Sequence, residues 1–205
     1  MKKTIICNIP MKENVEQVLY TSDDRSLPTS DRRVRYPICA FLEKTLKEDD
    51  ELKIILLVKK DKYSHYETNA DYFKQEMAEI NSTYNVPVEY VVIDTDFEES
   101  RLIHEQTMGK LVDEFETGTH ILVDITYGPK DLPVVIFAAL NFAEKFLECT
   151  VENIVYGQAS FADGKPVNTK ICDMIPLYYI GSITNMIHCD EPDKARAVLK
   201  TLLSL

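Results

Sequence analysis

The residues best suited to chemistry crowd into one short segment, His120 to Asp131. Ile121, Leu122, Val123 and Ile125 form an apolar run led by β-formers, so the segment opens as a buried strand. Thr126, Tyr127, Gly128 and Pro129 are turn residues: Gly128 is free to take φ > 0, and Pro129 fixes its own φ. Asp131 is placed as the N-cap of a helix that has Leu132 and Pro133 in its first turn. Strand, tight polar loop and helix N-terminus is an arrangement that holds anions in open α/β sheets. Backbone N–H groups of such a loop suit phosphates or ribose hydroxyls, and Lys130 adds a positive charge. Tyr127 has two readings, a platform for a base or a packing ring on the loop.

Several other chemistries have no carrier. No G-x-G-x-x-G follows the first strand, and neither G-x-x-x-x-G-K-[ST] nor G-x-S-x-G occurs. The dinucleotide fingerprint, the P-loop and the usual nucleophile elbow are therefore missing. His65, His104, His120 and His188 lack metal-ligand spacing. His104, alone on a helix, reads as a surface or hydrogen-bonded core residue rather than a catalyst. Cys7, Cys39, Cys149, Cys172 and Cys189 are scattered and form no CxxC pair, which signals neither zinc nor a redox motif. Cys7 and Cys39 lie in apolar segments and read as small core residues with reduced thiols. No cofactor and no metal is expected.

The net charge of −11 argues against broad binding of long DNA or RNA, which needs a basic surface. It leaves room for a small phosphate-bearing ligand held by a few cations in one pocket. A chain of 205 residues, 45 % hydrophobic, suits one domain with a large core and room for a small appendage. No apolar run is long enough to span a bilayer. Met1 to Cys7 begins like a signal peptide, but Asn8, Pro10, Lys12 and Glu13 interrupt the apolar region too early, so a cytoplasmic location is the default expectation.

The elements that must position the segment follow from periodicity. Strands are expected at Thr4 to Pro10, Lys53 to Val58, Pro87 to Ile93, His120 to Ile125 and Val151 to Tyr156. Helices are expected from Pro37 to about Lys47, Asn69 to Ile80, about Phe97 to Phe115 with Asp94-Thr95-Asp96 as its cap, and Leu132 to about Leu147. Asn14 to Arg35 is irregular and polar, with a little helical spacing at Val15, Val18, Leu19 and Tyr20. Its Arg32, Arg33 and Arg35 suit either a salt-bridged surface or a phosphate-facing flap. Asp163-Gly164 marks a hairpin turn, with Val167 to Met174 pairing back as an antiparallel edge. Pro176 to Gly181 has no clear pattern. Glu191 to Leu205 is a final amphipathic helix without a C-cap, which hints at a chain that once continued. The helix after Pro133 is apolar around most of its circumference and needs a second cover, expected from another subunit.

The fold class is α/β: a Rossmann-like, open, mostly parallel sheet with a C-terminal antiparallel β-hairpin and a final helix. With strand order 3-2-1-4-5 the chain reverses between strands one and four. The loops Asn8 to Met11 and Thr126 to Lys130 then line one crevice at the switch point.

Val123 to Pro133, with Ile154-Val155-Tyr156-Gly157 after the next helix, resembles the CRISPR-associated Rossmann fold (CARF) sensor family. Its members often carry Asp-Ile-Thr-His-Gly-Phe-Arg, then Leu-Pro and an apolar helix, then a strand ending in Tyr-Gly. Order and spacing match from the first strand to Gly157, and the stretch Arg35 to Ile38 also looks alike. Tyr127 stands where His is common, Pro129 where Phe is common and Lys130 where Arg is common. The lysine keeps the charge and loses the bidentate fork.

The resemblance implies a sensor domain over 1–189, with 190–205 a helix that links to an effector outside this chain. It implies a homodimer whose two crevices join on the two-fold axis and bind a cyclic oligoadenylate made by type III CRISPR complexes, most often the tetra-adenylate. The implied ligand-binding residues are Asn8, Ile9, Pro10 and Met11, then Thr126, Tyr127, Gly128, Pro129 and Lys130, then Gly157 and Gln158. Some members also cleave the ring without metal, by placing a ribose 2′-hydroxyl in line with the next phosphate. No Arg-x(4–6)-His ribonuclease signature is present. The alternatives are the sensor part of an effector, a stand-alone ring nuclease, and an unrelated nucleotide-binding α/β protein.

Overall fold

The computed structural model describes residues 1–24, 27–95, 100–186 and 191–203. Along the chain run β1 (Lys2–Asn8), α1 (Pro37–Thr45), β2 (Glu51–Val58), α2 (Tyr66–Asn81), β3 (Val88–Asp94) and α3 (Arg101–Asp113). There follow β4 (His120–Asp124), α4 (Leu132–Phe146), β5 (Thr150–Ala162), β6 (Lys165–Asp173), α5 (Ile175–Met186) and α6 (Pro192–Leu202). The sheet has six strands in the order β3-β2-β1-β4-β5-β6. All neighbours are parallel except β5 and β6. The expected order holds, and β1 and β4 lie side by side, Lys3 opposite His120 and Cys7 opposite Asp124.

The central strands are apolar at successive positions because both faces are covered. Ile5, Cys7, Ile54 and Leu56 pack towards α1 and α2. Ile6, Ile55, Leu57, Ile121 and Val123 pack towards α3 and α4. Each such side chain contributes roughly 1.5–3 kcal/mol of burial, so the sheet is a rigid base for its loops.

Local expectations change at the start of α3, at the end of β5 and in the cover of α4. The α3 helix starts from Ser100, whose Oγ accepts from Ile103 N, 3.4 Å away. Asp94 instead ends β3, and Thr95 still bonds back to Val58 O. Asp96 to Glu99, part of the expected cap and helix start, lie outside the described residues. Among the described residues the segment Asn14 to Arg35 is irregular, as expected, and forms no helix. It crosses itself at Val18–Val34 and bonds to β6 through Thr21.

Strand β5 does not end at Tyr156. It pairs with β4 only as far as Val155, then continues to Ala162 against β6. Tyr156 to Cys172 is thus a two-stranded arm projecting past the carboxyl edge of the parallel strands. Such a hairpin is marginal alone. Here it is braced: Thr21 N donates to Thr169 O (3.1 Å), Ile171 N to Thr21 O (2.8 Å), and Thr169 Oγ1 to Leu19 O (2.6 Å).

Pro176 to Gly181 lies in α5. Tyr178 meets Phe137 edge-on at 5.6 Å, Tyr178 Oη and Tyr179 Oη both donate to the Glu144 carboxylate, and Ser182 Oγ bonds Asn141. The second cover of α4 therefore comes in part from the same chain. Helix α6 is amphipathic and buries none of its residues.

Candidate functional site

The site is built from the carboxyl end of β4. Asp124 is fully buried, and both its oxygens are used. Oδ1 accepts from Thr126 N at 2.9 Å, which makes the turn; Oδ2 accepts from Ile38 N at 3.1 Å. Helix α1 has no acidic residue in its first turn and no side-chain cap of its own, so Asp124 serves as its anion from across the sheet. Burial pushes the Asp124 carboxyl above its ordinary range, against the pull of the bonds from Thr126 and Ile38.

Thr126 then ties the loop to β5, its Oγ1 accepting from Gly157 N at 2.8 Å. A Cβ on Gly157 would lie 2.4 Å from Pro37 Cγ and 3.1 Å from Thr126 Cγ2. Gly157 is thus the point where α1, the loop and β5 converge. Gly128 has φ +98° and rests on Asn8. Asn8 Nδ2 donates to Tyr127 O at 2.8 Å, while its buried Oδ1 has no partner. Tyr127 packs edge-on against Tyr36, and its Oη donates to Arg35 O at 2.9 Å. The N–H groups of Tyr127, Gly128 and Lys130 meet no acceptor among the described residues. They remain open to an anion.

Above this loop lies a cleft of about 470 Å³ between the β5–β6 arm and the Lys12 to Tyr20 segment. Lys12, Glu16, Tyr20, Thr126, Tyr127, Tyr156, Gly157 and Phe161 are among the residues that line it. Lys12 is the basic residue among those lining it, its Nζ 5.9 Å from the Tyr127 ring centre.

Of the residues expected at the crevice, the cleft brings together Thr126, Tyr127 and Gly157. Asn8, Ile9 and Pro10 are buried beneath it as supports. Asn69 Nδ2 holds Pro10 O and Lys12 O at 2.7 and 2.9 Å, and His65 N donates to Met11 O. Pro129 faces the other side of the loop, towards His104 and Thr95. Lys130 is exposed and does not line the cleft. Gln158 is exposed on the arm, where its Oε1 accepts from Cys172 Sγ.

Asp131 sits at the start of α4, but its side chain makes no cap bond and pairs with His104 Nε2 instead. Arg35 is held by Glu76 and stacks 4.0 Å over Tyr72, and Arg32 pairs with Glu43 and Glu79. Neither lines the cleft, nor does exposed Arg33. A smaller hollow at the amino edge of the sheet has its Lys2, Lys3 and Lys53 paired with Glu116, Asp50 and Glu114. Among the described residues no His, Cys, Asp or Glu cluster suits a metal ion. No helix there is long and apolar enough to cross a membrane. His188 and Cys189 lie outside the described residues.

Lys12, Tyr156 and Phe161 were not legible as site residues. The length of the arm, set by β6, brings Phe161 to the cleft, and Asn69 holds the segment after β1 that carries Lys12. Fold and cleft together define a Rossmann-like α/β protein with an open switch-point site. No family model matches the chain, and no curated protein matches it.

Proposed function

We propose that this chain is a receptor for a cyclic oligoadenylate, cyclic tetra-adenylate first among them, in type III CRISPR antiviral signalling. The observation that carries the reading is the cleft beside the loops that follow β1 and β4, lined by Thr126 and Tyr127 of the β4 loop and by one lysine, Lys12. It joins the motif resemblance of Val123 to Gly157 to a place where a nucleotide fits. The receptor works as an isologous homodimer, since a ring with two-fold symmetry suits two identical clefts. Val134 is 70 % exposed and Leu102 62 % exposed, on the first turns of α4 and α3 at the same carboxyl edge. Those are apolar residues a second copy would cover.

The test is calorimetric titration with cyclic tetra-adenylate, with the mass of the complex measured alongside. One ring per two chains is the expected result. Absence of heat and of a complex withdraws the messenger and leaves the fold. Ligand recovered after binding in chelator, analysed for linear product, decides whether the receptor also cleaves the ring.

A further inference from the structure

We infer that the β5–β6 arm is itself part of the binding site: a purine base stacks on Phe161, which shares one face of β5 with Gly157 and Ala159, while Lys12 neutralises its phosphate. This deepens the proposed receptor reading and rests on it for the identity of the ring. Phe161 is 66 % exposed, yet it lines one cleft with a cation and the polar residues Thr126 and Tyr127. An aromatic face in water beside a lysine and the polar residues Thr126 and Tyr127 matches the parts of a nucleotide: planar base, phosphate and ribose hydroxyls. The volume of about 470 Å³ holds about one nucleotide, so each protomer takes one adenylate and the rest of a ring lies between protomers. The brace of Leu19 to Thr21 on Thr169 and Ile171 holds the arm at this distance, so the platform is formed before ligand arrives.

The geometry also reassigns the cation. Lys12 stands over Tyr127 at the cleft, whereas Lys130 lies on the loop away from it. In one chain Lys12 is therefore the phosphate partner.

The experiment uses 2-aminopurine, whose emission is quenched when it stacks. The chain has no tryptophan, so the signal belongs to the probe. Wild type, Phe161→Leu, Tyr156→Leu, Lys12→Gln and Lys12→Arg are titrated with cyclic tetra-adenylate carrying one 2-aminopurine. They are also titrated with 2-aminopurine riboside 5′-monophosphate alone. Thermal unfolding and native mass are recorded for each variant. Quenching in wild type is expected, with its loss and roughly 5- to 100-fold weaker binding in Phe161→Leu, whereas Tyr156→Leu, on the other face of the arm, keeps both. Lys12→Gln should weaken binding about 10- to 100-fold with quenching kept at saturation, and Lys12→Arg should restore affinity. Ring binding without quenching overturns the arm inference and leaves the receptor reading. Quenched binding of the mononucleotide without binding of the ring does the reverse. Binding of neither removes both. A Phe161→Leu chain that binds normally, or that loses only its dimer, makes Phe161 an interface residue and also overturns the inference.

Discussion

Asp124 shows how one side chain can be structural while sitting at a site. Its carboxylate starts α1 and shapes the Thr126 turn, so the N-terminus of α1 is already filled by an internal anion. The folded carboxyl lies above the ordinary aspartate value of 3.8. Between those values the native state holds a proton that the unfolded chain has released. The stabilising contribution is therefore fully present below 3.8 and is lost as pH rises through the folded value. Asp173, raised mainly by burial, has the same sign, as does Glu76 above its own ordinary value of 4.5. Urea unfolding of wild type and Asp124→Asn across pH checks this: the wild type should gain on the variant as pH falls through the window. A difference independent of pH would show that Asp124 does not titrate this way. At neutral pH the variant should be about 1–3 kcal/mol less stable, because an amide cannot accept both N–H bonds. Gly157→Ala places a methyl against Pro37 and Thr126 and should cost about 1–3 kcal/mol, read from the urea midpoint. From sequence Gly157 looked like the end of a strand. Its real constraint is a contact with Pro37, 120 positions earlier by numbering, which no local pattern encodes.

At the scale of elements, the short buried strands and the helices α1, α2 and α4 were legible because their apolar spacing is imposed by neighbours on both sides. Helix α5 was not. Its Tyr178, Tyr179, Ile180 and Gly181 are weak helix formers with no polar stripe, and packing on α4 through Glu144 and Phe137 supplies what propensity lacks. Missing α5 is also why the cover of α4 was assigned wholly to another subunit. The overhang of β5 was equally hidden, since β6 and the irregularity between Gln158 and Ser160 set its length. The brace of the arm makes a separate prediction. Thr169→Val removes the hydroxyl bonded to Leu19 O and should cost about 1 kcal/mol. Hydrogen exchange at Thr21 and Ile171 should quicken while β1 and β4 keep their protection; equal change everywhere would mean that the brace is not a separate unit.

For the whole molecule, strand order and the place of the switch point were readable from the alternation of strands and helices. The walls of the cleft were not, because they come from segments far apart in the chain. The net charge of −11 sets the range of partners. Fluorescence anisotropy should show no binding of a long single-stranded RNA at low salt under conditions where the cyclic ring binds, and comparable affinity for both would contradict a local anion site on an acidic surface. The braced arm has one more consequence, in the order of assembly. Thr169 Oγ1 and Leu19 O are 150 positions apart, and Thr21 and Thr169 are 148 apart. During synthesis β1 to β4 can pair while the residues that hold Leu19 have yet to be made. The scaffold thus forms first and the cleft closes last, so a nascent chain stopped before β6 carries a sheet but nothing for a nucleotide to enter.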